Sequence, residues 1–361
     1  MNVPPSSSWS GLSVLVTGVC GTVGAELLRQ IHQCGCERLI GLDNNESELF
    51  YLSQVYADAA NVRLFLGDLR DGDMLMRQLR GIDVVLHAAA LKHVLLCEES
   101  PRDAVHTNIT GMMNLIDAAE ANGVSRVLFT SSDKAVNPTN VMGTTKLMGE
   151  RLITAANAHR RDDNDSIFAS TRFGNVLGSR GSVVPVFARQ IAAGGPVTLT
   201  DRSMTRFIMT LEQAVRLVIE SAFLAKGGEV FVTKMPVARI EDLAAVMIEE
   251  LAPQFGRRPE DIEVRETGSK PGEKLYEELL NEEEIRRTVE LDRFFAVLPA
   301  FKTIYRQIDY RYEGDGGRQV DRPYNSSQEP SMSRGELSDY LRAHGIFDAC
   351  RPGTFRQEGT L

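Results

Sequence analysis

The chain of 361 residues has no run of basic residues and no clustered Lys/Arg stripe, and its net charge is −9. No nucleic-acid partner is expected, because binding to a phosphate backbone rests on concentrated positive charge. Nor does any stretch approach the roughly 18 apolar residues that a membrane helix needs. Residues 1–8 have neither a basic segment nor an apolar core of signal-peptide length. The expectation is no membrane insertion and a cytoplasmic setting. Cysteine is sparse: Cys20, Cys34, Cys36, Cys97 and Cys350. Five is odd, and the spacings match neither a zinc ligand set nor a disulfide framework. Cys34-Gly35-Cys36 has no second Cys or His pair to complete a metal site. No metal is expected, and the thiols read as small hydrophobes in a reducing compartment. No internal repeat is visible.

What is present is an ordinary globular composition, 43% hydrophobic and 25% charged, in a chain long enough for one large domain and a second lobe. Compact apolar runs at 12–17, 38–42, 62–66, 84–87, 126–130 and 167–173 read as strands. Helical patterns at 22–34, 47–57, 71–80, 98–121 and 140–160 separate them. Apolar strands alternating with amphipathic helices predict an α/β fold with a parallel, doubly wound sheet. Beyond 173 the pattern becomes irregular, with a Gly-rich loop at 174–182 and helices near 183–193, 211–225 and 240–251. The predicted organisation is a flexible tail at 1–11, a nucleotide-binding domain at 12–173, and a smaller substrate-binding lobe at 174–311 with segments able to return to the sheet. A C-terminal extension at 312–361 follows, with one helix near 334–344.

Thr17-Gly18-Val19-Cys20-Gly21-Thr22-Val23-Gly24 lies between the first strand and the first helix. Gly18 permits a tight turn, Gly21 lets backbone approach a pyrophosphate, and Gly24 lets the helix pack close to the sheet. The helix N-terminus then offers N–H donors to phosphate. Such a glycine motif is weak alone and strong after an N-terminal strand and before a helix. The expected architecture is thus Rossmann-like. Asp43 ends the second strand, where a carboxylate accepts hydrogen bonds from an adenosine ribose and repels a 2′-phosphate; Asn44 and Asn45 follow it, so NAD is favoured over NADP. A helix N-cap is the other reading of Asp43. Asp68, with Leu69, follows the third strand and either meets the adenine edge or caps the helix at 71–80. Ala88, Ala89 and Ala90 follow the fourth strand and leave room for a cofactor.

Further segments are more specific. They are Ala89–Val94, Thr107–Gly111, Ser132–Asn140, Arg172–Val176, Gly178–Ser182 and Lys270–Glu278, with Lys146 four residues after Met142. In this order they resemble the extended short-chain dehydrogenase/reductases, and within them the CapD-like polysaccharide-biosynthesis UDP-N-acetylglucosamine 4,6-dehydratases. The likeness covers roughly residues 12–300 and continues weakly to about 347. It implies a lyase with tightly bound NAD: oxidation at sugar C4, loss of water across C5 and C6, and return of hydride to C6.

The resemblance implies catalytic roles for Ser132, Asp133, Lys134, Met142 and Lys146. Ser132 would bond the C4 hydroxyl, Asp133 protonate the leaving hydroxyl, and Lys134 take the C5 proton. Lys146 would hold the nicotinamide ribose, and Asn108 stand among the cofactor contacts. The position four before Lys146 is normally Tyr, the acid/base of hydride chemistry; Met142 cannot carry a proton. Members with Tyr there invert C5, whereas members with Met resemble the configuration-retaining branch. Ser132, Lys146 and Asp133 remain candidates for receiving the C4-hydroxyl proton. Met142 is expected to pack against sugar or nicotinamide, with an ordinary core methionine as the alternative. Lys92, His93, Asn175, Arg180, Arg206, Lys270 and Glu273 are the implied UDP-sugar contacts; Glu273 is alternatively the cap of a helix at 274–280. An epimerase working through the same ketone and a silent NAD-binding sensor are the competing functions. Relatives are commonly dimers or larger, built through helices of the nucleotide domain, so a homo-oligomer is expected, with the helix at 98–121 and the helix from 140 as candidates for the contact.

Overall fold

The structure, a computed structural model, describes residues 8–157, 166–268, 272–301, 308–312 and 320–351. The chain begins as strand–helix alternation. β1 (Ser13–Thr17), α1 (Thr22–Gln33), β2 (Arg38–Asp43), α2 (Glu46–Val55), β3 (Val62–Leu66), α3 (Gly72–Gln78) and β4 (Val84–His87) follow one another. α4 (Val94–Glu99), α5 (Pro101–Val105), a π-turn at His106–Thr110, α6 (Gly111–Ala121), β5 (Arg126–Thr130), α7 (Val141–Ala156) and β6 (Ile167–Arg172) complete this half. The helix expected at 98–121 is therefore broken. Pro101 has no N–H to continue α4 and opens α5 at its first turn instead.

From Gly174 the chain passes back and forth between two compact units. β7 (Asn175–Val176), α8 (Val183–Ala193), β8 (Val197–Leu199) and β9 (Thr205–Met209) build the second unit, and α9 (Leu211–Leu224) and β10 (Val230–Thr233) return to the first. β11 (Val237–Arg239), α10 (Ile240–Leu251) and β12 (Val264–Glu266) belong to the second unit. β13 (Glu278–Leu280) stands at the boundary; α11 (Glu282–Ile285), β14 (Thr288–Glu290) and β15 (Phe294–Val297) rejoin the first. β16 (Tyr324–Asn325) and α12 (Arg334–Ala343) close the second.

The first unit is a nine-stranded sheet in the order β14-β15-β10-β6-β5-β4-β1-β2-β3. Its strands from β10 to β3 run parallel, and β15 and β14 add antiparallel at one edge. The central strands β1, β4 and β5 are almost wholly buried, as a sheet covered on both faces requires. β1 pairs with both β2 and β4, so the strand order reverses beside its C-terminal end. Ligands of doubly wound sheets bind at such a reversal.

Two boundaries differ from the sequence expectation. Trp9 is buried edge-on against Phe223 at 4.9 Å, so the residues just before β1 are packed and not a free tail; residues 1–7 lie outside the described ones. Among the described residues, 212–234, 279–301, 308–312 and 320–323 belong to the sheet unit, which is the return to the sheet that the sequence reading allowed for. Residues 324–351 are no separate extension: Leu337, Leu341, Ile346 and Phe347 share the second unit's core with Phe187, Leu243 and Met247. The apolar stripe of α12 has to be covered, and that core covers it.

Candidate active site

The glycine-rich turn shows why glycine is needed at each end. Gly18 has φ +75°, and a Cβ there would lie 2.7 Å from the Ala89 backbone. A Cβ on Gly24 would lie 2.0 Å from the Gly18 carbonyl oxygen. Side chains at these positions would force the loop and α1 apart. Gly21 is the N-cap of α1 and supplies no side-chain acceptor, and no acid stands in the first turn. The helix therefore keeps donors and positive dipole for an anion, with Thr22 and Val23 opening it.

Asp43 does not cap α2. Asn45 does, accepting from Glu48 N, while Asp43 accepts from Cys20 N at 2.9 Å and from Asn45 N at 3.0 Å. Its carboxylate ties the β2 end to the glycine turn. Asp68 does not cap α3 either: Asp71 does, through Met74 N. Asp68 instead binds Arg70, whose guanidinium holds the carboxyl down at about 2. Leu69 puts its side chain into the core beside Met74 and Leu75.

Thr17 is fully buried, and its hydroxyl accepts from Ala89 N at 3.3 Å and meets His87 Nδ1 at 2.7 Å. Thr17 thus works inside the protein, holding the half-buried Ala88–Ala90 turn beside the glycine loop. His87, which the motif reading passed over, is held neutral by burial and by the neighbouring Lys146 charge, its pKa pushed down to about 3. Asn108 also works through that turn. Its amide accepts from Leu91 N and donates to Leu91 O and Thr145 Oγ1, so its polar atoms tie the backbone at Leu91 to α7. Lys92 and His93 follow on the surface; partial burial and Lys92 lower the His93 pKa.

At the end of β5 the chain makes a 3₁₀ turn over Asp133–Ala135 with Ser132 as its cap. Asp133 is 1% exposed. Its Oδ1 accepts from Ser132 Oγ at 2.5 Å, from Lys134 N at 2.9 Å and from Lys134 Nζ at 3.1 Å. Three consecutive side chains thus form one contiguous proton-bearing cluster. Asn140 caps α7 through Gly143 N, and a Cβ at Gly143 would lie 2.2 Å from the Lys134 carbonyl. Only glycine lets α7 approach the turn this closely.

Lys146, one turn further along α7, is 6% exposed. Its Nζ donates to Thr130 O at 2.9 Å and lies 4.7 Å from the Phe129 ring centroid. Burial pushes its pKa down to about 8, against the raising effect of Glu150. Met142 is 4% exposed and packs with Cys97, Ala104, Val94 and Val141. It is a core methionine, and the expectation of a sugar or nicotinamide contact gives way to this apolar cluster.

Beneath this floor lies a buried ion cluster that motif reading did not find. Arg172 donates to both oxygens of Glu150 at 2.7 and 2.6 Å, to both oxygens of Glu284 at 2.8 Å, and to Leu279 O. Its partners stand 22 and 112 residues away, too far for a local pattern to show.

In the second unit, Asn175 opens β7, and Arg180 is exposed on the following loop. Arg206 departs from its expected role as a free phosphate anchor. Its guanidinium is buried and committed to the carbonyls of Thr205, Lys274 and Leu275, with Glu277 at 3.5 Å and Glu273 at 4.0 Å. Residues 274–280 form no helix, since Glu278–Leu280 is a strand, so Glu273 caps nothing there. Lys270 lies outside the described residues. Among the described residues no group of three or more His, Cys, Asp or Glu could hold a metal, and no helix is long and apolar enough to cross a membrane.

A parallel sheet in this strand order, with a glycine turn at its reversal and a Ser-Asp-Lys cluster beside a buried lysine, defines an extended short-chain dehydrogenase/reductase fold. Residues 14–299 match the polysaccharide biosynthesis protein family, and the chain belongs to it. It is 45% identical to an uncharacterized membrane protein, MJ1061, of Methanocaldococcus jannaschii, over 93% of this chain and 97% of that protein. It is 42% identical to the capsular polysaccharide biosynthesis protein CapD of Staphylococcus aureus over 76% of this chain, which spans 46% of CapD. It is 34% identical to an inverting UDP-N-acetylglucosamine 4,6-dehydratase of Campylobacter jejuni, over 92% of this chain and 98% of that enzyme. A UDP-glucose 4-epimerase of Rickettsia felis is 32% identical over 91% of this chain and 95% of the epimerase. The X-ray structure of Pen from Bacillus thuringiensis superposes with TM-score 0.85 at 40% identity, covering 93% of this chain and 98% of Pen. The dTDP-glucose 4,6-dehydratase DesIV of Streptomyces venezuelae shares the fold at TM-score 0.64 and 21% identity, covering 93% of this chain and 98% of DesIV.

Proposed function

We propose that this chain is an NAD-dependent UDP-N-acetylglucosamine 4,6-dehydratase that retains configuration at C5. The observation carrying this reading is the Ser132–Asp133–Lys134 cluster at the end of β5, one helix approach from Lys146. The residues also fit the dinucleotide: an uncapped α1 N-terminus for the pyrophosphate, the Asp43 carboxylate for the adenosine ribose, and Lys146 for the nicotinamide ribose. When bound, the nicotinamide supplies the redox chemistry, taking hydride from C4 and returning it to C6.

The protein's own groups then have two protons to manage. Ser132 Oγ donates to Asp133 Oδ1, so a proton leaving the C4 hydroxyl has a path through Ser132 to Asp133. The protonated Asp133 is the acid for the C6 hydroxyl, which departs as water. Protonation of Asp133 also removes the counter-charge 3.1 Å from Lys134 Nζ, which favours loss of the ammonium's proton to solvent from this partly exposed side chain; Lys134 regains a proton from solvent once Asp133 is again a carboxylate. Neutral Lys134 takes the C5 proton and gives it back when C6 is reduced. The two substrate protons and the one that Lys134 exchanges with solvent are accounted for, and none passes through Met142. Asn175, Arg180 and Lys270 are the groups we assign to the UDP diphosphate, because phosphates need Arg, Lys or amide donors.

Retention at C5 rests on Met142 through the family resemblance, and the Campylobacter relative carries the inverting name. Epimerisation is the second reading, favoured by the relatives named UDP-glucose 4-epimerase. Incubation with UDP-N-acetylglucosamine and NAD+ in D2O, followed by mass spectrometry and NMR, separates these. Net loss of one water with the C5 configuration kept is the expected result. An unchanged mass with a new C4 configuration would establish the epimerase, and NAD+ binding without turnover of any UDP-hexose would establish a silent sensor. Lys134→Ala is expected to lower turnover roughly 10²–10⁴-fold, the usual contribution of a positioned general base; unchanged turnover would remove Lys134 from the mechanism.

A further inference from the structure

Asp68 is doing something other than capping, and its neighbours indicate what. β2 and β3 pair with Asp43 opposite Leu66, and Gly67 N donates to Asp43 O at 2.9 Å. The Asp68 segment therefore continues alongside Asp43 and Asn44, and Asn44 Nδ2 donates to Asp68 Oδ2 at 3.3 Å. On its other side Asp68 receives three bonds from Arg70: the backbone N at 2.9 Å and Nε at 2.9 Å, both to Oδ1, and an Nη at 2.6 Å to Oδ2. Arg70 is 50% exposed, so the strand ends present a surface guanidinium whose fork is closed by a carboxylate.

We propose that Asp68 is a second determinant of dinucleotide choice, withholding Arg70 from an adenosine 2′-phosphate. The inference rests on the dinucleotide reading of the glycine turn. Enzymes that accept a 2′-phosphate offer it an Arg close to the ribose, and those that reject it place a carboxylate there. This chain has the carboxylate in Asp43 and, one strand over, an Arg that could serve the opposite preference. A lone surface ion pair would be a weak latch. This one is bidentate, reinforced by a backbone N–H, and braced by Asn44, which is the geometry in which Arg–carboxylate pairs are strong. The Asp68 pKa of about 2 keeps the latch charged throughout the working pH range. Removing Asp43 alone leaves Arg70 closed; removing both carboxylates opens it.

Calorimetric titration with NAD+ and NADP+ tests this without any turnover. Four proteins are compared: wild type, Asp43→Asn, the double variant Asp43→Asn/Asp68→Asn, and the double variant with Arg70→Gln. Wild type should bind NAD+ in preference to NADP+. Asp43→Asn should gain little NADP+ affinity, and the double variant should bind NADP+ roughly tenfold more tightly than Asp43→Asn, the scale of one charge-assisted phosphate contact. Arg70→Gln should cancel that gain. If Asp43→Asn already matches the double variant, or the gain survives Arg70→Gln, the role of Asp68 is overturned while NAD+ binding stands. If wild type binds neither dinucleotide, the cofactor reading falls and this inference with it. The substitutions are isosteric or exposed, and thermal melts of all four proteins confirm that folding is preserved.

Discussion

Lys146 carries a charge to a place where charge is costly, and the cost is visible in its pKa. Unfolded, the amine titrates near 10.5; folded, near 8, because burial disfavours the ammonium. Between those pH values the unfolded chain holds more protons than the folded one, so this residue's contribution to stability rises with pH. At pH 7 the buried ammonium is destabilising. Lys146→Met is expected to be about 2 kcal/mol more stable than wild type at pH 7, with the difference closing as pH approaches 10. Urea unfolding at several pH values measures it, and a pH-independent difference would show that packing rather than charge sets it. Turnover should be lost in the same variant. Met142 makes a complementary case. It is enclosed by Cys97, Ala104 and their neighbours, so Met142→Tyr adds volume where there is none. It should cost about 1–3 kcal/mol, while Met142→Leu costs less than about 1.5 kcal/mol. A Tyr variant as stable as wild type would mean that the position opens to a cavity.

At the scale of elements, α7 is the part that assembles the site. Its N-cap Asn140 and Gly143 set it against the Lys134 turn, Lys146 faces the end of β5, and Glu150 anchors it from below to Arg172 on β6. Glu284 on α11 completes the cluster, with Arg287 at 3.8 Å balancing the second carboxylate. Breaking a buried pair leaves an uncompensated charge, so Glu150→Ala should destabilise by about 3–5 kcal/mol. The more exposed Glu283–Arg287 pair should contribute about 1 kcal/mol or less. Denaturant unfolding of Glu150→Ala and Glu283→Ala compares the two, and equal effects would count against the cluster as the anchor of α7. The glycine turn and the Ser132–Lys134 cluster were legible in the sequence because their chemistry lies within a few consecutive residues. The Arg172 cluster was not, since its members meet only through the sheet. Likewise Arg206 looks available in sequence, and only folding shows its donors taken by the 274–275 backbone.

At the scale of the molecule, the sheet unit exposes large apolar side chains on α4, α6 and α7. Leu95 is 69% and Leu96 60% exposed, and Met113 and Met148 are 46% and 45% exposed. α6 and α7 fall in the two helices that were the candidates for a homo-oligomer contact, α4 leads into the first of them, and apolar exposure of this kind suits burial against a second copy. Sedimentation velocity should find a dimer or larger species. Leu96→Lys combined with Met113→Lys should weaken association at least tenfold if these side chains lie at the centre of the interface. A monomeric wild type, or an unaffected double variant, would place the assembly surface elsewhere or remove it.

The sequence by itself determined the parallel sheet, the glycine turn before α1 and the adjacency of a hydroxyl, an acid and an amine after β5. Each depends on local spacing: the period of apolar residues, a glycine where φ must be positive, and a hydroxyl, acid and amine in succession. Only the tertiary structure decided which charges are available and which are enclosed. Asp43 and Asp68 became tethers and not caps, Met142 became core, Arg206 became a brace, and Arg172 acquired two carboxylates from distant parts of the chain. The reason is physical. Whether a polar group faces solvent or a partner depends on what the fold brings within hydrogen-bonding distance, and that information is not local.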